Sequence, residues 1–356
     1  MHETRRTILK TIGGIAGAGA LSGQVTANRA SRLSAAATKP VADWAPADES
    51  NYSEANRESD LDIWWFIVHV AQGDADGTVN WFQNPKSNVS AHYVADHRTG
   101  NLTQQVDESD IAWHAGNWPY NQHSIGVEHS GWVDQTQFSD ELYDVSARLV
   151  RWEATKFDFP KRVRRYDIAP CDAMDGEGGI IGHVQVPDPY DCSQPGGISG
   201  HTDPGSLWNW GRYEGFVRRY DIESGEHAVM LSDDAVHHGA DGRSSTLDVL
   251  TGAVGTATGN VHVHHGEQWY KLAFGGRHGW VAATDLLYAR FDSGSTIETT
   301  SGLSVRDEPS DTRLATVPEG TAGTVVDGPV DTGGYRWWKV AYEGGETGWS
   351  AGYWLR

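Results

Sequence analysis

The segment Trp64-Trp65-Phe66-Ile67-Val68-His69-Val70 is an apolar run that one imidazole interrupts near its end. A short continuous apolar run of this kind is typical of a strand that is buried in a sheet. We expect the strand to end near His69, where a strand end can present a side chain to a cleft. The segment therefore predicts both a central strand and a candidate site residue.

Further strands are predicted on either side of a turn and beyond it. Residues 89–96 and 102–106 read as two strands that are joined through Arg98-Thr99-Gly100, a turn signal. Ser124–His129 reads as another strand, and Gly131 follows it. These strands and the first one predict a single sheet.

Two helices complete the predicted domain. Ser139 is a plausible N-cap because Asp140 and Glu141 follow it in the first turn. One apolar helical face is then marked by Leu142, Val145, Leu149 and Trp152. Residues 207–220 predict a closing helix. Strands that alternate with helices predict an α/β (α+β) domain over residues 44–220, with helices around a central mixed sheet.

Beyond Tyr220 the composition changes to short strands that glycines separate, and the chain repeats itself. Residues 269–273, followed by Gly279-Trp280, correspond to residues 337–341, followed by Gly348-Trp349. These features resemble bacterial SH3-like modules, which are small all-β barrels. We expect two such barrels, module 1 at 226–290 and module 2 at 295–356, each with its own sheet. The opening strand of module 1 is hard to place.

The N-terminus reads Thr4-Arg5-Arg6-Thr7-Ile8-Leu9-Lys10, and small apolar residues follow over 11–23. A twin-arginine pair before a weakly apolar stretch is typical of an export signal, and the run is too short and glycine-rich to span a bilayer. Residues 1–43 are thus predicted to be a signal peptide and a disordered linker, with the mature chain starting between Ala27 and Ala42. The prediction is a secreted protein without a membrane span.

The chain is strongly acidic, with 48 Asp and Glu residues against 28 Lys and Arg and a formal net charge of -20. This balance argues against a nucleic-acid-binding protein, which shows basic patches, and against electrostatic attraction to anionic polymers or lipid. Two interpretations stay open: ordinary solvated surface charge, or adaptation to a halophile's high salt.

The residues that carry chemistry lie in four separated segments: Ile67-Val68-His69, Ser124-Ile125-Gly126-Val127-Glu128, Gly182-His183-Val184-Gln185-Val186-Pro187 and His201-Thr202-Asp203-Pro204-Gly205. Together they offer two imidazoles and one carboxylate as metal ligands and a second carboxylate as a base. A zinc hydrolase needs such a set, because three protein ligands leave a position open for water.

The order and the residues of these segments resemble those of the zinc-dependent N-acetylmuramoyl-L-alanine amidases, a family that includes phage lysozyme-type amidases and peptidoglycan recognition proteins. The resemblance implies a Zn2+ ion held by His69, His183 and Asp203. It also implies that Glu128 is the general base and that His201 stabilises the tetrahedral intermediate.

Alternatives to these roles stay open. His201 could be the third ligand, with Asp203 orienting it from behind. Glu128 could be a strand-end glutamate that pairs with an arginine. Some family members have an active-site tyrosine near the position of Ala91, and here Tyr93 could take that role, although Glu128 is the better candidate for the base.

Two further segments resemble the family's substrate groove. They supply the candidate substrate-binding residues His92, Tyr93, Trp113, His114 and Asn117. Aromatic faces suit sugar rings, and an asparagine suits amide groups. Trp113 could also serve core packing.

Cys171 and Cys192 bracket His183. In an exported protein an even pair favours a disulfide, and the alternative is that Cys192 binds the metal. Residues 187–199 form a longer gap between the second and third ligands than the family usually has. We expect this loop to affect the width of the cleft.

The resemblance implies a secreted hydrolase that cleaves the amide between N-acetylmuramic acid and L-alanine in peptidoglycan. The SH3-like modules would bind a wall polymer or peptide. Two other functions stay open: a non-catalytic peptidoglycan-binding receptor, and a cell-surface binding protein in which the repeats dominate.

Overall fold

The computed structural model describes residues 38–164, 167–291, 293–332 and 335–355. The predicted twin-arginine segment lies outside the described residues. Within them, no helix has the length and apolar character needed to cross a membrane.

The N-terminal domain is built on a six-stranded mixed sheet. Its strands are β1 (Asp43–Trp44), β3 (Trp65–Val70), β4 (Tyr93–Ala95), β5 (Leu102–Gln104), β7 (Ser124–His129) and β8 (Gly179–Gly182). Two further strands, β2 (Tyr52–Ser53) and β6 (Ile111–Ala112), pair separately as a two-stranded sheet. The order in the sheet is β1-β5-β4-β7-β3-β8, and only β4 and β5 pair antiparallel. The predicted central strand, β3, is buried along its whole length and lies between β7 and β8, parallel to both. The mixed sheet confirms the predicted fold class of this domain.

Five α-helices accompany the sheet in the part of the chain that the structure describes: α1 (Arg57–Asp60), α2 (Ala75–Phe82), α3 (Trp118–Gln122), α4 (Asp140–Phe157) and α5 (Trp210–Arg218). The predicted start of α4 is confirmed, because the Ser139 side chain accepts a hydrogen bond from the Leu142 N–H. The closing helix α5 is shorter than predicted, because Asn209 caps it by accepting from the Arg212 N–H. A fully buried Trp208 packs among the aromatic side chains between α4 and α5.

The predicted strand over 89–96 was too long, since β4 covers only three residues. Before β4 the backbone leaves the regular ladder: the Ser90 N–H donates to the carbonyl of Trp113, and the His92 N–H donates to the carbonyl of Gly126. These bonds hold residues 90–92 against two other segments, and Ser90 at the start of this stretch lines a cleft.

In the described part of the C-terminal region the strands form two sheets, and short 3-10 helices cover Ala283–Asp285 and Gly352–Trp354. The first contains β9 (His227–Met230), β10 (Val254–His264), β11 (Glu267–Phe274), β12 (Arg277–Ala282) and β13 (Leu286–Ala289), in the order β12-β11-β10-β9-β13. The second contains β14 (Thr296–Glu298), β15 (Leu303–Arg306), β16 (Arg313–Val317), β17 (Ala322–Thr332), β18 (Tyr335–Tyr342) and β19 (Thr347–Ala351), in the order β14-β17-β18-β19-β15-β16. The strand that the sequence left unplaced in module 1 is β9.

Packing explains the glycine of each repeated Gly-Trp pair. A Cβ atom on Gly279 would lie 2.3 Å from Val236 Cγ1, and a Cβ atom on Gly348 would lie 2.7 Å from Val305 Cγ1. Real Cβ contacts are not this short, so any larger residue at either position would clash with the valine that packs on it. The predicted β-rich character of the C-terminal region is confirmed by its two sheets.

Both sheets pack against α5 of the N-terminal domain. Ideal Cβ atoms on Gly211 and Gly215 would lie 2.7 Å from Arg336 Cβ and 3.0 Å from Leu287 Cβ. Asp331 accepts hydrogen bonds from Arg336 at 2.9 Å and from Arg212 of α5 at 2.8 Å. Burial would raise the pKa of Asp331, but the two guanidinium groups outweigh it and lower the pKa to about 2.

Candidate metal centre and cleft

Three parallel strands bring the main candidates to one edge of the sheet. His69 near the end of β3 is the register partner of Glu128 on β7, and His183 directly follows β8. Parallel strands end at the same edge, so these side chains converge. Asp203 joins them from a loop, since its carboxylate accepts a hydrogen bond of 3.2 Å from the N–H of Val70.

The donor atoms of the three predicted ligands have the spacing of a tetrahedral zinc site. His69 Nδ1 lies 3.1 Å from His183 Nδ1 and 3.4 Å from Asp203 Oδ2, and His183 Nδ1 lies 3.3 Å from Asp203 Oδ1. Tetrahedral bonds of about 2.0–2.1 Å place ligand atoms roughly 3.3 Å apart. All three side chains are buried, and they form the one group of this kind found among the described residues. The residues therefore fit a zinc ion.

The protonation of these groups also suits a metal. Burial, with a smaller effect from the neighbouring His183, lowers the pKa of His69 to about 4, so its imidazole is neutral near pH 7. Burial alone would raise the pKa of Asp203, but the imidazoles of His183 and His69 lower it well below its usual range. A neutral imidazole and an ionised carboxylate are the forms that bind zinc.

Glu128 is a half-buried carboxylate beside this group. Its Oε2 atom has no hydrogen-bond partner in the described part of the chain, and no arginine pairs with it there. Burial and the charge of Asp203 raise the pKa of Glu128 well above its usual range. A carboxylate with a free oxygen and a raised pKa can accept a proton from water.

His201 stands next to the ligand group and not within it. Its ring stacks on that of His183 with centroids 4.2 Å apart, and its Nδ1 lies 3.7 Å from Asp203 Oδ1. Its side chain is 48 % exposed, whereas His69 and His183 are buried. This position lets the imidazole of His201 reach a molecule bound in the cleft.

A cleft of about 890 Å3 opens onto these residues. Gly77 and Trp81 of α2 line one part, residues 198–203 line another, and Trp113 also contributes. Sequence reasoning missed Trp81, which is 51 % exposed although it is a large aromatic side chain. The only signal available in the sequence was a tryptophan shortly after the strand that carries His69.

The five predicted substrate-binding residues divide into two groups. Trp113 and His114 line the cleft, although His114 is mostly buried against His69. His92, Tyr93 and Asn117 are not among the lining residues and are buried.

Each of the three buried side chains has a partner inside the protein. Tyr93 packs in the core with α4 residues and its hydroxyl donates to Glu108. The Asn117 amide donates to the carbonyl of Pro187 at 2.9 Å and its oxygen caps α3. His92 Nδ1 accepts from the Gly126 N–H at 3.0 Å. These internal partners, which the local sequence does not encode, hold the three side chains away from the cleft.

Cys171 and Cys192 form a disulfide in the structure, so both thiols are occupied and Cys192 is not free to bind a metal. The bridge ties the loop of residues 187–199 to the segment before β8. Pro187 and Pro195 also pair across this loop. The loop ends at residues that line the cleft, including Ile198.

Comparison with known proteins relates the chain to one protein family. Residues 59–206, which contain all of the converging residues, match the family model described as N-acetylmuramoyl-L-alanine amidase. The N-acetylmuramoyl-L-alanine amidase A of Achromobacter lyticus is 34 % identical over 178 residues, which is 49 % of this chain and 92 % of that protein.

Solved structures give looser overlaps. A selenomethionine derivative of AmpD is 21 % identical over 49 % of this chain and 94 % of its own, with a TM-score of 0.36. Staphylococcus aureus hydrolase AmiA in complex with its ligand is 15 % identical over 54 % of this chain and 82 % of its own, with a TM-score of 0.34. The assignment therefore rests on the sequence matches, which cover nearly all of the Achromobacter protein and include the converging residues: the chain belongs to the N-acetylmuramoyl-L-alanine amidase family.

Proposed function

We propose that this protein is a zinc-dependent hydrolase that cleaves the amide between the lactyl group of N-acetylmuramic acid and L-alanine in peptidoglycan. One observation carries the proposal: in a chain of the amidase family, His69, His183 and Asp203 have zinc-site spacing in the cleft where Glu128 has an unpaired oxygen. A receptor without catalysis would need no free carboxylate there.

In this proposal His69 and His183 hold the ion through Nδ1, and Asp203 holds it through a carboxylate oxygen. Zinc, when bound, supplies Lewis-acid polarisation of a carbonyl and makes water more acidic. The backbone N–H of Val70 fixes the Asp203 carboxylate in place. These contacts keep the ligands ordered before a metal arrives.

Glu128 is the proposed general base. It accepts a proton from the attacking water on Oε2 and delivers it to the amide nitrogen that leaves as the amine of L-alanine. Burial and the charge of Asp203 raise the pKa of Glu128, which makes its carboxylate a stronger proton acceptor than an ordinary glutamate.

His201 is proposed to stabilise the oxyanion that develops on the scissile carbonyl. Its ring is held by stacking on His183, while nearly half of its side chain stays open to the cleft. A hydrogen bond that strengthens as charge develops lowers the barrier to reaction.

We assign the sugar-binding part of the cleft to Trp81 and Trp113. Both line the cleft, and the exposed face of Trp81 offers an apolar platform to a sugar ring. Trp113 is held by a 3.0 Å hydrogen bond from its Nε1 to Ser53 Oγ.

The two C-terminal β-sheet units are proposed to be the SH3-like modules, which bind a wall polymer or peptide. Export through the twin-arginine pathway remains part of the proposal. Lys39 Nζ lies 2.7 Å from Glu108 Oε1, and β1 pairs with β5. These contacts support a mature chain that starts before Lys39, within the predicted range but not near Ala42.

The test is mass spectrometry of defined muropeptides after incubation with zinc-loaded protein, in low and in high salt. Release of a stem peptide with a free N-terminal alanine, lost on chelation and in His183→Ala, is expected. Tight zinc binding without cleavage at either salt concentration would instead indicate the receptor.

A further inference from the structure

His114 is a buried histidine that contacts the ring of a proposed zinc ligand. Its Nδ1 lies 3.0 Å from His69 Nε2, and the two rings are nearly perpendicular, at 89°. On the other side of the ring, His114 Nε2 lies 3.2 Å from the hydroxyl of Ser124. Both nitrogens of His114 are therefore occupied by partners inside the protein.

The direction of this hydrogen-bond chain is fixed at its far end. The Ser124 hydroxyl donates to the carbonyl oxygen of Tyr120, which can only accept. A hydroxyl has one proton, so Ser124 must accept the hydrogen bond from His114 Nε2–H.

The position of the proton on His69 follows in the same way. A neutral imidazole carries one N–H, so His114 Nδ1 is an acceptor and receives the Nε2–H of His69. His69 Nδ1 then has no proton, and its lone pair faces His183 and Asp203. His114 is buried, and the partners of its two nitrogens are a histidine and a serine and not a carboxylate, which agrees with a neutral ring.

We infer that His114 is a positioning residue, which fixes the tautomer and orientation of His69 so that Nδ1 is presented to the metal. The inference rests on the proposed zinc site and goes beyond it, because it replaces the predicted substrate contact of His114 by a role behind the ligand. Partners of this kind orient metal-binding histidines and increase their affinity for the metal.

Gly126 leaves free the space that the His114 ring occupies. A Cβ atom on Gly126 would lie 2.4 Å from His114 Cγ, so the ring lies directly on the backbone of β7. His92 accepts the N–H of Gly126 and its ring contacts His114 edge-on, with centroids 5.7 Å apart. The glycine in Ile125-Gly126-Val127-Glu128 is therefore required by the imidazole behind the ligand.

Two variants separate the hydrogen bond from simple packing. His114→Asn keeps an acceptor oxygen near the position of Nδ1 but loses the ring, whereas His114→Phe keeps a ring and loses the acceptor. His129→Gln is the matched control, because His129 is equally buried and bonds to the backbone carbonyl of His69, 2.8 Å away, and not to its ring.

The readouts are the zinc dissociation constant, from competition with a chelator, and the His69 tautomer, from NMR of imidazole nitrogens in the zinc-free protein. We expect His114→Phe to weaken zinc binding about 10–100-fold and His114→Asn to weaken it clearly less. Zinc-free wild type should carry the His69 proton on Nε2, and His114→Phe should show a mixture of tautomers.

The inference is overturned if His114→Phe keeps wild-type zinc affinity and tautomer, or if all three variants lose affinity equally. Turnover is measured separately. Absence of cleavage with normal zinc affinity would contradict the proposed function and leave the inference standing. The tautomer in the zinc-free protein tests the inference even if zinc is not the physiological metal.

Discussion

Replacing Glu128 by glutamine should abolish most activity and, at the same time, stabilise the zinc-free protein. The substitution keeps the shape of the side chain and removes its charge. Loss of a general base typically costs about 10²–10⁴-fold in rate, which corresponds to about 3–5 kcal/mol in the activation free energy. Zinc affinity should stay near the wild-type value, because Glu128 is not one of the three ligands.

The gain in stability follows from the unpaired, half-buried carboxylate. Glu128 Oε2 lacks a partner, and burial and the nearby Asp203 disfavour its charged form. An unsatisfied buried polar group costs about 1–3 kcal/mol, and glutamine also leaves a polar group without a partner there, so the gain is only the part of this cost that depends on charge. Its folded pKa is raised, so the wild type loses stability as the pH rises above the ordinary glutamate value of 4.5, towards the folded pKa. The advantage of Glu128→Gln should therefore be small near pH 4.5 and larger at neutral pH.

The assay combines denaturant unfolding of chelated wild type and Glu128→Gln at both pH values with turnover of muropeptides by the zinc-loaded proteins. Both proteins share every other titrating group, so the difference isolates Glu128. A variant that keeps wild-type turnover would refute its role as base. A variant that is less stable than wild type at neutral pH would refute the electrostatic reasoning.

Other predictions test the ligands, the cleft and the contact between domains. His183→Ala should lose both zinc and turnover, and zinc retained at wild-type affinity would contradict its assignment. Trp81→Ala should raise KM for glycan-bearing muropeptides with little change in kcat; an equal effect on lactyl-peptides, which carry the scissile amide without a sugar ring, would contradict the sugar-binding role of Trp81. Asp331→Asn should destabilise the protein by about 2 kcal/mol at neutral pH, from a pKa of about 2 against 3.8, and this deficit should vanish as acid protonates the wild-type carboxylate; a pH-independent deficit would contradict the ion-pair explanation. Truncation after Tyr220 should expose the α5 surface that contacts Leu287 and lower solubility, which light scattering measures; a monodisperse fragment would show that the contact is dispensable.

The sequence predicted those parts of the structure that local chemistry determines. The apolar run before His69 forms a strand that is buried along its whole length, and Ser139 starts α4 because its hydroxyl satisfies a free N–H. The order of the ligand segments also determined which side chains converge, since parallel strands end at one edge.

The remaining features depend on contacts between distant parts of the chain. Tyr93 and His114 lie in equally family-like segments, yet Tyr93 packs in the core and His114 contacts the ring of His69, a proposed zinc ligand. The packing of both sheets against α5 had no sequence signal either. It depends on two helix glycines, and isolated glycines in a sequence more often indicate a turn.

The most direct test of the central claim is hydrolysis of a defined muropeptide in water enriched in heavy oxygen, followed by mass spectrometry of both products. Our account predicts that zinc-loaded wild type places one heavy oxygen on the lactyl carboxylate of the muramic acid and none on the released L-alanine peptide. Chelated protein should produce neither product, and Glu128→Gln should produce them about 10²–10⁴-fold more slowly. Cleavage at another bond, or the same label in chelated protein, would contradict the account.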